Sequence, residues 1–415
     1  MLLEHLVLDN VRALESCEIS FVAEDGSARG RTLLLGGNGS GRTTILQSIA
    51  LLLAGPNALA ELIPHPDFWI RNGRKSCSMI ATIVDGEGKR HTVEIGIKRG
   101  DDTWKVIERN TDSIAALEKL DRVGYPIAGY GISRRQSSGD GSSSSESFER
   151  PYSRSVATLF SADATLHPLE QWALATDASS KSGAAVVRRM IGDLLPGAPL
   201  HAIDRRNRHL TFKTADGILP LGRLSDGYRS VAAWIGDLLY RISERAGDSR
   251  APWNARGLLL VDELELHMDP LWERLFLIDL TERFPHLQLI ATTNSPLIAH
   301  QARSGEIFHL TRDGAGSAPS LRRYDGDPSR LMIHQLLASP LFGLDTVDSA
   351  PVEQLRIEHR RLKSRPAREL SGSERRRAKE LEEEIRDLPR WNSGAPGEDE
   401  KRSLLENIER AIAKR

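Results

Sequence analysis

GGNGSGRTT, residues 36–44, is the stretch on which the fold turns. Gly36 and Gly41 bracket four residues and are followed by Arg42 and Thr43, the spacing of a phosphate-binding loop with arginine where lysine is usual. Reading outward, Arg31–Leu35 predicts a strand that ends at Gly36 and Gly37, and helical character runs from Thr43 to about Leu53. Strand, glycine turn and helix in that order let the backbone of Gly36, Gly37, Asn38, Gly39, Ser40 and Gly41 wrap a phosphate at the positive end of a helix. Thr43 is placed to set its hydroxyl on Mg2+, and Arg42 and Thr44 lie beside the same anion. Taken alone, the string also reads as a glycine-rich turn that binds nothing; the strings downstream weigh against that.

GLLLVDE (257–263) is a hydrophobic run ending in two acids, and a buried strand end is a costly place for carboxylates unless a cation or a water needs them. Asp262 fits a Mg2+ partner and Glu263 fits the base that positions an attacking water. The plainer reading is a pair of acids at the N-terminus of the next helix. LSDGYRS (224–230) sets Ser225, Asp226 and Gly227 at a helix start, where free N–H groups and a hydroxyl can hold a terminal phosphate, or where Ser and Asp simply cap.

The rest of the pattern is α/β. GLLLV (257–261) and LQLIATT (287–293) are short continuous apolar runs with a helix-like Pro270–Phe284 between them, a strand–helix–strand unit with both sheet faces covered. Between 77 and 109, CSMIATIV, RHTVEIGIK and TWKVIER are separated by DGEGK and RGDD and predict a three-stranded antiparallel meander, a β-lobe beside the core. Pro126–Gly131 predicts a strand, the serine-glycine tract at about 137–147 a mobile loop, and 150–197 a helical region. HAIDRRNRHLTFKTADGILPL (201–221) reads as a hairpin delivering the chain to the helix at LSDG. From Val352 the composition turns to Arg, Glu, Lys and Leu, with helices predicted at about Val352–Lys363 and Ser373–Leu388, a linker RWNSGAPGED, and a last helix to Arg415. The expected division is a head over 1–349 and a charged helical tail over 350–415.

Composition narrows the function classes. Lys and Arg number 56 against 57 Asp and Glu, so the formal net charge of -1 carries no signature of a dedicated nucleic-acid binder. Two cysteines, Cys17 and Cys77, lack metal-ligand spacing and fit a reducing cytoplasm better than a disulfide framework. No run approaches the ~18 apolar residues of a membrane helix, so no membrane partner is expected.

Taken in order, LDNVRAL (8–14), GGNGSGRTT, LSDGYRS, LLLVDELELHMDP (258–270) and ATTNSPLIA (291–299) resemble the ABC-type ATPases. The likeness is greatest to bacterial ATPases related to the SMC and RecF heads and to the overcoming-lysogenization-defect nucleases. It covers about residues 1–349 and makes these strings Walker A, the signature, Walker B with its D-loop, and the switch segment. LLASPLFGLDT (336–346) and the charged tail look like the ends of stand-alone anti-phage ATPases such as that of Septu. The resemblance implies a P-loop NTPase fold of the ABC-ATPase head type, with an antiparallel β-lobe, a helical insertion and a C-terminal helical tail. It implies ATP and Mg2+, and a head-to-tail homodimer or a higher assembly. In that pair Ser225 and Gly227 meet the γ-phosphate held by the other copy, and Asp269 lies at the shared interface. It also draws Asn10 and Arg12 toward the nucleotide, although a solvated turn fits them equally, and makes Gln136 the nearest candidate for a Mg2+-binding glutamine.

Two departures from the family pattern fall on catalytic positions, Arg42 for lysine and Asn294 for the switch histidine. Arginine keeps the charge but presents a planar fork, and asparagine can hydrogen-bond but carries no charge. Loss of one charge-stabilising contact costs on the order of 10^2 to 10^3 in rate, so slow hydrolysis is expected, or an ATP-locked scaffold. After Walker B there is no additional acidic cluster, HNH-like array or cysteine nucleophile. Destructive chemistry is therefore expected in a separate effector, such as an HNH-type nuclease, docked on the RRLKSR (360–365) and RRRAKELEEE (375–384) runs of the tail, unless those runs are only a solvated charged face. The alternative is a RecF-like repair ATPase in which Arg205–Arg208 and the tail meet DNA. A transporter ATPase subunit fits poorly.

Overall fold

Alternating buried and open positions make one-sided strands of β1 (Leu2–Val11) and β2 (Leu14–Ser20), whereas β3 (Arg31–Gly36) buries four consecutive residues and must be covered on both faces. The architecture is that of a computed structural model describing residues 1–53, 55–121, 126–136, 151–246, 252–314, 316–386 and 388. After β3 come α1 (Arg42–Leu53), α2 (Pro56–Leu62), the hairpin β4 (Ser76–Val84) and β5 (Arg90–Lys98), and α3 (Thr103–Asp121). The chain continues through β6 (Ile127–Tyr130), β7 (Arg135–Gln136), α4 (Pro151–Val156), β8 (Thr165–Leu166), α5 (Leu169–Ser179) and α6 (Gly183–Ile191). A meander of β9 (Leu200–Asp204), β10 (His209–Thr214) and β11 (Gly217–Pro220) leads into α7 (Asp226–Ala246). β12 (Gly257–Val261), α8 (Pro270–Arg283), β13 (Leu287–Thr292), α9 (Pro296–Ala299), β14 (Ile307–Thr311) and β15 (Ser320–Arg323) close the first compact unit, Met1–Pro328.

Two sheets dominate that unit. One is antiparallel, in the order β2-β1-β4-β5; the other has the order β15-β14-β3-β13-β12-β6 and is parallel except for the edge strand β15. α1 packs against strands of both and is buried at every position except Thr43. This explains its apolar sequence: a helix between two sheets has no solvent face. A single core of buried side chains, including Leu6, Ile49, Met79, Ile95, Leu260 and Ile290, runs through both layers.

A polar contact also joins the layers. Leu3 N donates to Gln288 Oε1 at 2.7 Å and Gln288 Nε2 donates to Leu3 O at 2.9 Å, so a side-chain amide from β13 completes the backbone of β1. Gln288 is 1% exposed. Replacing it with leucine strands a buried N–H and a buried C=O, and Gln288→Leu is expected to lower the unfolding free energy by about 2–4 kcal/mol. Urea denaturation reads this as a lower midpoint at unchanged slope. A loss below about 0.5 kcal/mol would show that the two backbone groups find other partners.

Three sequence expectations need correction. TWKVIER is not the third strand of the β-lobe but the start of α3, because Asp102 caps it: Lys105 N donates to Asp102 Oδ1 at 2.8 Å. Four residues apart on one helix face, Val106 is buried and Asn110 exchanges hydrogen bonds with the Gly96 backbone of β5 at 2.8 and 3.0 Å. β1 and β2 take the place in the lobe that the third run was expected to fill. The expected hairpin at 201–221 is three strands, since β11 adds to β10 after the turn at Ala215 and Asp216. Finally, the expected boundary at 349/350 falls inside the second compact unit, Ser329–Arg415.

That second unit contains α10 (Ile333–Ala338), α11 (Ala350–Lys363) and α12 (Gly372–Arg386). Its charge runs pair with one another: Arg365 with Glu374 at 2.7 Å, Arg377 with Glu358 at 3.2 Å and Lys363 with Glu382 at 3.8 Å. The expected loop at 137–147, the linker and the last helix to Arg415 lie outside the described residues. Both cysteines are free and buried in the antiparallel sheet, and burial pushes their thiols up to about 12.

Candidate functional site

The parallel register brings the C-terminal ends of β3, β12 and β13 to one edge of the sheet, with Thr292 beside Leu34 and Val261 beside Ala291. In open α/β sheets this edge is where ligands bind. β3 runs out into the glycine loop there. Gly36 and Gly41 have φ of 151° and 103°, and a Cβ on either would strike Leu310 O at 2.6 Å or Leu14 Cδ2 at 2.9 Å. A Cβ on Gly37 or Gly39 would meet nothing within 4 Å. One side of the loop is thus packed on protein while the other is open. Arg312 Nη2 steadies the loop by donating to Gly39 O at 2.8 Å. The buried Ser40 Oγ has no partner among the described residues.

Thr43, the first-turn residue of α1 that escapes burial, donates to Asp262 Oδ2 at 2.7 Å. Asp262 is 4% exposed, and its other oxygen accepts from Thr292 Oγ1 at 2.6 Å. Glu263 N donates to the same Thr292 hydroxyl at 2.7 Å, and Glu263 takes the left-handed backbone conformation, φ 49°. Beneath this turn lies Arg134, whose Nη2 donates to both Asp262 O and Glu263 O at 2.7 Å. Burial pulls the Arg134 guanidinium down to about 10, opposed by Asp262, Glu265 and Glu263, so it stays protonated at neutral pH.

Arg42 and Asn294 meet. Arg42 Nη1 donates to Gly36 O and to Asn294 Oδ1, while Asn294 N donates to Glu265 Oε1 at 2.7 Å. Arg42 Nε and Nη2 make no hydrogen bond among the described residues, which leaves the rest of the fork for an anion.

The remaining expected residues make no hydrogen bond to the loop among the described residues. Ser225 and Asp226 are exposed at the head of α7, with Asp226 paired to Arg229. Gly227 packs so closely on the chain after β12 that a Cβ would sit 2.5 Å from His267 O. None of the three hydrogen-bonds to the glycine loop of its own chain. Asp269 caps α8, accepting from Leu271 N at 2.9 Å and Trp272 N at 3.0 Å. Arg12 lies 3.8 Å over the Trp69 ring and donates to Gln47 of α1 at 2.5 Å; Asn10 and Arg12 both have positive φ. Gln136 belongs to β7 and pairs with β8.

Sequence reasoning missed Arg134, Thr292, Glu265 and Arg312. Thr292 and Glu265 sat inside quoted strings but were given no role. Arg134 stood between the strand predicted to Gly131 and the loop expected at about 137–147 and was given no role, and Arg312 is brought to Gly39 only by the parallel pairing of β14 with β3.

The family described as AAA domain, putative AbiEii toxin, Type IV TA system matches residues 91–299, half of the chain, and a second AAA domain family matches 5–155. The chain is 24% identical over 344 residues to the Septu protein PtuA of Bacillus mycoides (strain KBAB4), covering 82% of this chain and 45% of that protein. It is 30% identical over 125 residues to the Retron Ec83 probable ATPase of Escherichia coli, covering 30% of this chain and 23% of that protein. Both matches span less than half the length of the curated relative. The SMC head domain from Thermotoga maritima is similar in structure at a TM-score of 0.44 and 16% identity, over 79% of this chain and 100% of that one.

Proposed function

We propose that this chain, which belongs to the AAA-domain family described as putative AbiEii toxin of a type IV TA system, binds ATP with Mg2+ on loop 36–44, hydrolyses it slowly, and thereby regulates a separate effector in anti-phage defence. The observation that carries the reading is the 2.7 Å bond from Thr43 to Asp262, which joins the glycine loop to the acidic strand end. The residues fit the expected ligands. The open side of Gly37 and Gly39 and the orphaned Ser40 Oγ suit phosphate oxygens, and Thr43 and Asp262 suit Mg2+, which keeps waters and phosphate oxygens in most of its positions. When bound, Mg2+ neutralises charge on the phosphates.

Within the chain, Arg42 holds its free fork toward the anion, Asp262 orients the Thr43 hydroxyl, and Glu263 takes the proton of the attacking water. Defence is supported by the relatives, a Septu protein and a retron ATPase. The effector is read as a nuclease bound through the tail. Internal pairing of Lys363, Arg365 and Arg377 leaves that role to the other exposed groups of α11 and α12.

A second copy completes the site. Supporting this, Ser225 and Asp226 are exposed at the head of a helix and have no bond to their own loop. Mass measured without nucleotide, with ADP and with ATP and Mg2+ is expected to double only in the last state. ATP binding at an unchanged mass would remove the shared site and leave a single-chain nucleotide binder.

A further inference from the structure

We infer that Arg134 is a positioning residue of this site, clamping the turn at Asp262 and Glu263 so that the Glu263 carboxylate is held where it acts. The inference rests on the ATPase reading above. Glu263 has a Cβ and a φ of 49°, a conformation that persists in such residues only where the surroundings over-determine it. Two contacts do so. Thr292 Oγ1 takes the Glu263 N–H at 2.7 Å, and Arg134 Nη2 bridges the carbonyls of Asp262 and Glu263 at 2.7 Å each.

Arg134 is itself anchored, by Nε to Gly131 O at 3.1 Å, and its guanidinium lies 5.8 Å from the Trp234 ring of α7. The clamp therefore ties together β6, α7 and the end of β12, the elements on either side of the acidic turn. A cation only 6% exposed is expensive to bury, and packing alone would be served as well by an apolar side chain. Its Nη1 is buried without an acceptor among the described residues, so the clamp is kept although one of its nitrogens is unsatisfied. The resemblance placed Mg2+ contact on Gln136 of the same segment. The structure assigns this segment's reach to the acidic turn to Arg134, two residues earlier, while Gln136 joins β7.

The test compares wild type, Glu263→Gln, Arg134→Ala and Arg134→Lys by binding of a fluorescent ATP analogue and by steady-state turnover, with and without millimolar guanidinium. Arg134→Ala is expected to bind the analogue and keep KM within about threefold of wild type while kcat falls about a hundredfold. Guanidinium should restore part of that kcat, with no effect on Glu263→Gln, and Arg134→Lys should fall between. A kcat in Arg134→Ala within about threefold of wild type overturns the inference, as does joint loss of binding and kcat without guanidinium rescue. If Arg134→Ala does not fold, Arg134→Lys decides: retained binding with kcat down at least about tenfold supports the clamp, and wild-type kcat overturns it. No turnover in wild type is instead a failure of the hydrolysis reading, and turnover indifferent to Glu263→Gln a failure of the role given to Glu263; failure confined to Arg134 leaves both standing.

Discussion

Glu263→Gln is expected to bind ATP about as tightly as wild type and to turn it over ~10^2 to 10^4 times more slowly, the range that a positioned general base contributes. The amide keeps the size and most of the hydrogen bonding of the carboxylate but cannot take the proton of the attacking water. Nothing in the loop that would hold the phosphates depends on this side chain: Gly36, Gly41, Ser40 and Thr43 are placed by β3, α1, Leu310, Leu14 and Asp262. Binding and chemistry should therefore separate. The variant should also accumulate as the ATP-bound pair, since hydrolysis no longer resets it. Turnover in Glu263→Gln equal to wild type would move the base elsewhere, with Glu265, bonded to Asn294 N, the next carboxylate to examine. ATP binding without turnover in either protein would make the molecule an ATP-locked scaffold.

The second large effect concerns Arg42 and Asn294. Judged from the sequence, each is a separate defect at a catalytic position. In the fold they are bonded to each other, Arg42 Nη1 donating to Asn294 Oδ1. Asparagine offers a neutral acceptor to the guanidinium, whereas a protonated histidine there would set a second cation against it. Arg42→Lys removes the fork that reaches Asn294, and Asn294→His removes the amide oxygen that accepts from it. Each single change is expected to lower kcat/KM for ATP by about 10^2. The double change, Arg42→Lys with Asn294→His, restores the family's usual residues at both positions and is expected to lose about 10^2, no more than either single change, rather than the ~10^4 of two independent losses, a coupling of about 3 kcal/mol. Steady-state kinetics on the four proteins measures it. Losses that simply add would show that Arg42 and Asn294 each serve the site without depending on the other.

Much of the core was legible because its signals are local. The short, largely apolar runs at 31–35, 257–261 and 287–293 read as strands, and β3, β12 and β13 lie where those runs stand. TWKVIER misled because its alternating apolar residues fit a strand as well as a helix, and the capping by Asp102 and the packing of Asn110 on Gly96 chose the helix. The second-unit boundary was missed because it was set where the composition changes at Val352, leaving LLASPLFGLDT with the head, while compactness groups it with α11 and α12.

The sequence by itself determined the class of chemistry. Phosphate loops, acid pairs after strands and capped helix starts are patterns of neighbouring residues, and their order along the chain is printed in it. Only the tertiary structure decided which of those residues touch. Thr43 and Asp262 are 219 positions apart, Arg42 and Asn294 are 252 apart, and the two meet because β12 and β13 pair in parallel register beside β3. Arg134 had no motif to announce it; its part is set by carbonyls 128 and 129 residues away. Contacts of that range depend on which strands pair and in what register, and a global register is fixed by the whole core rather than by any string within it.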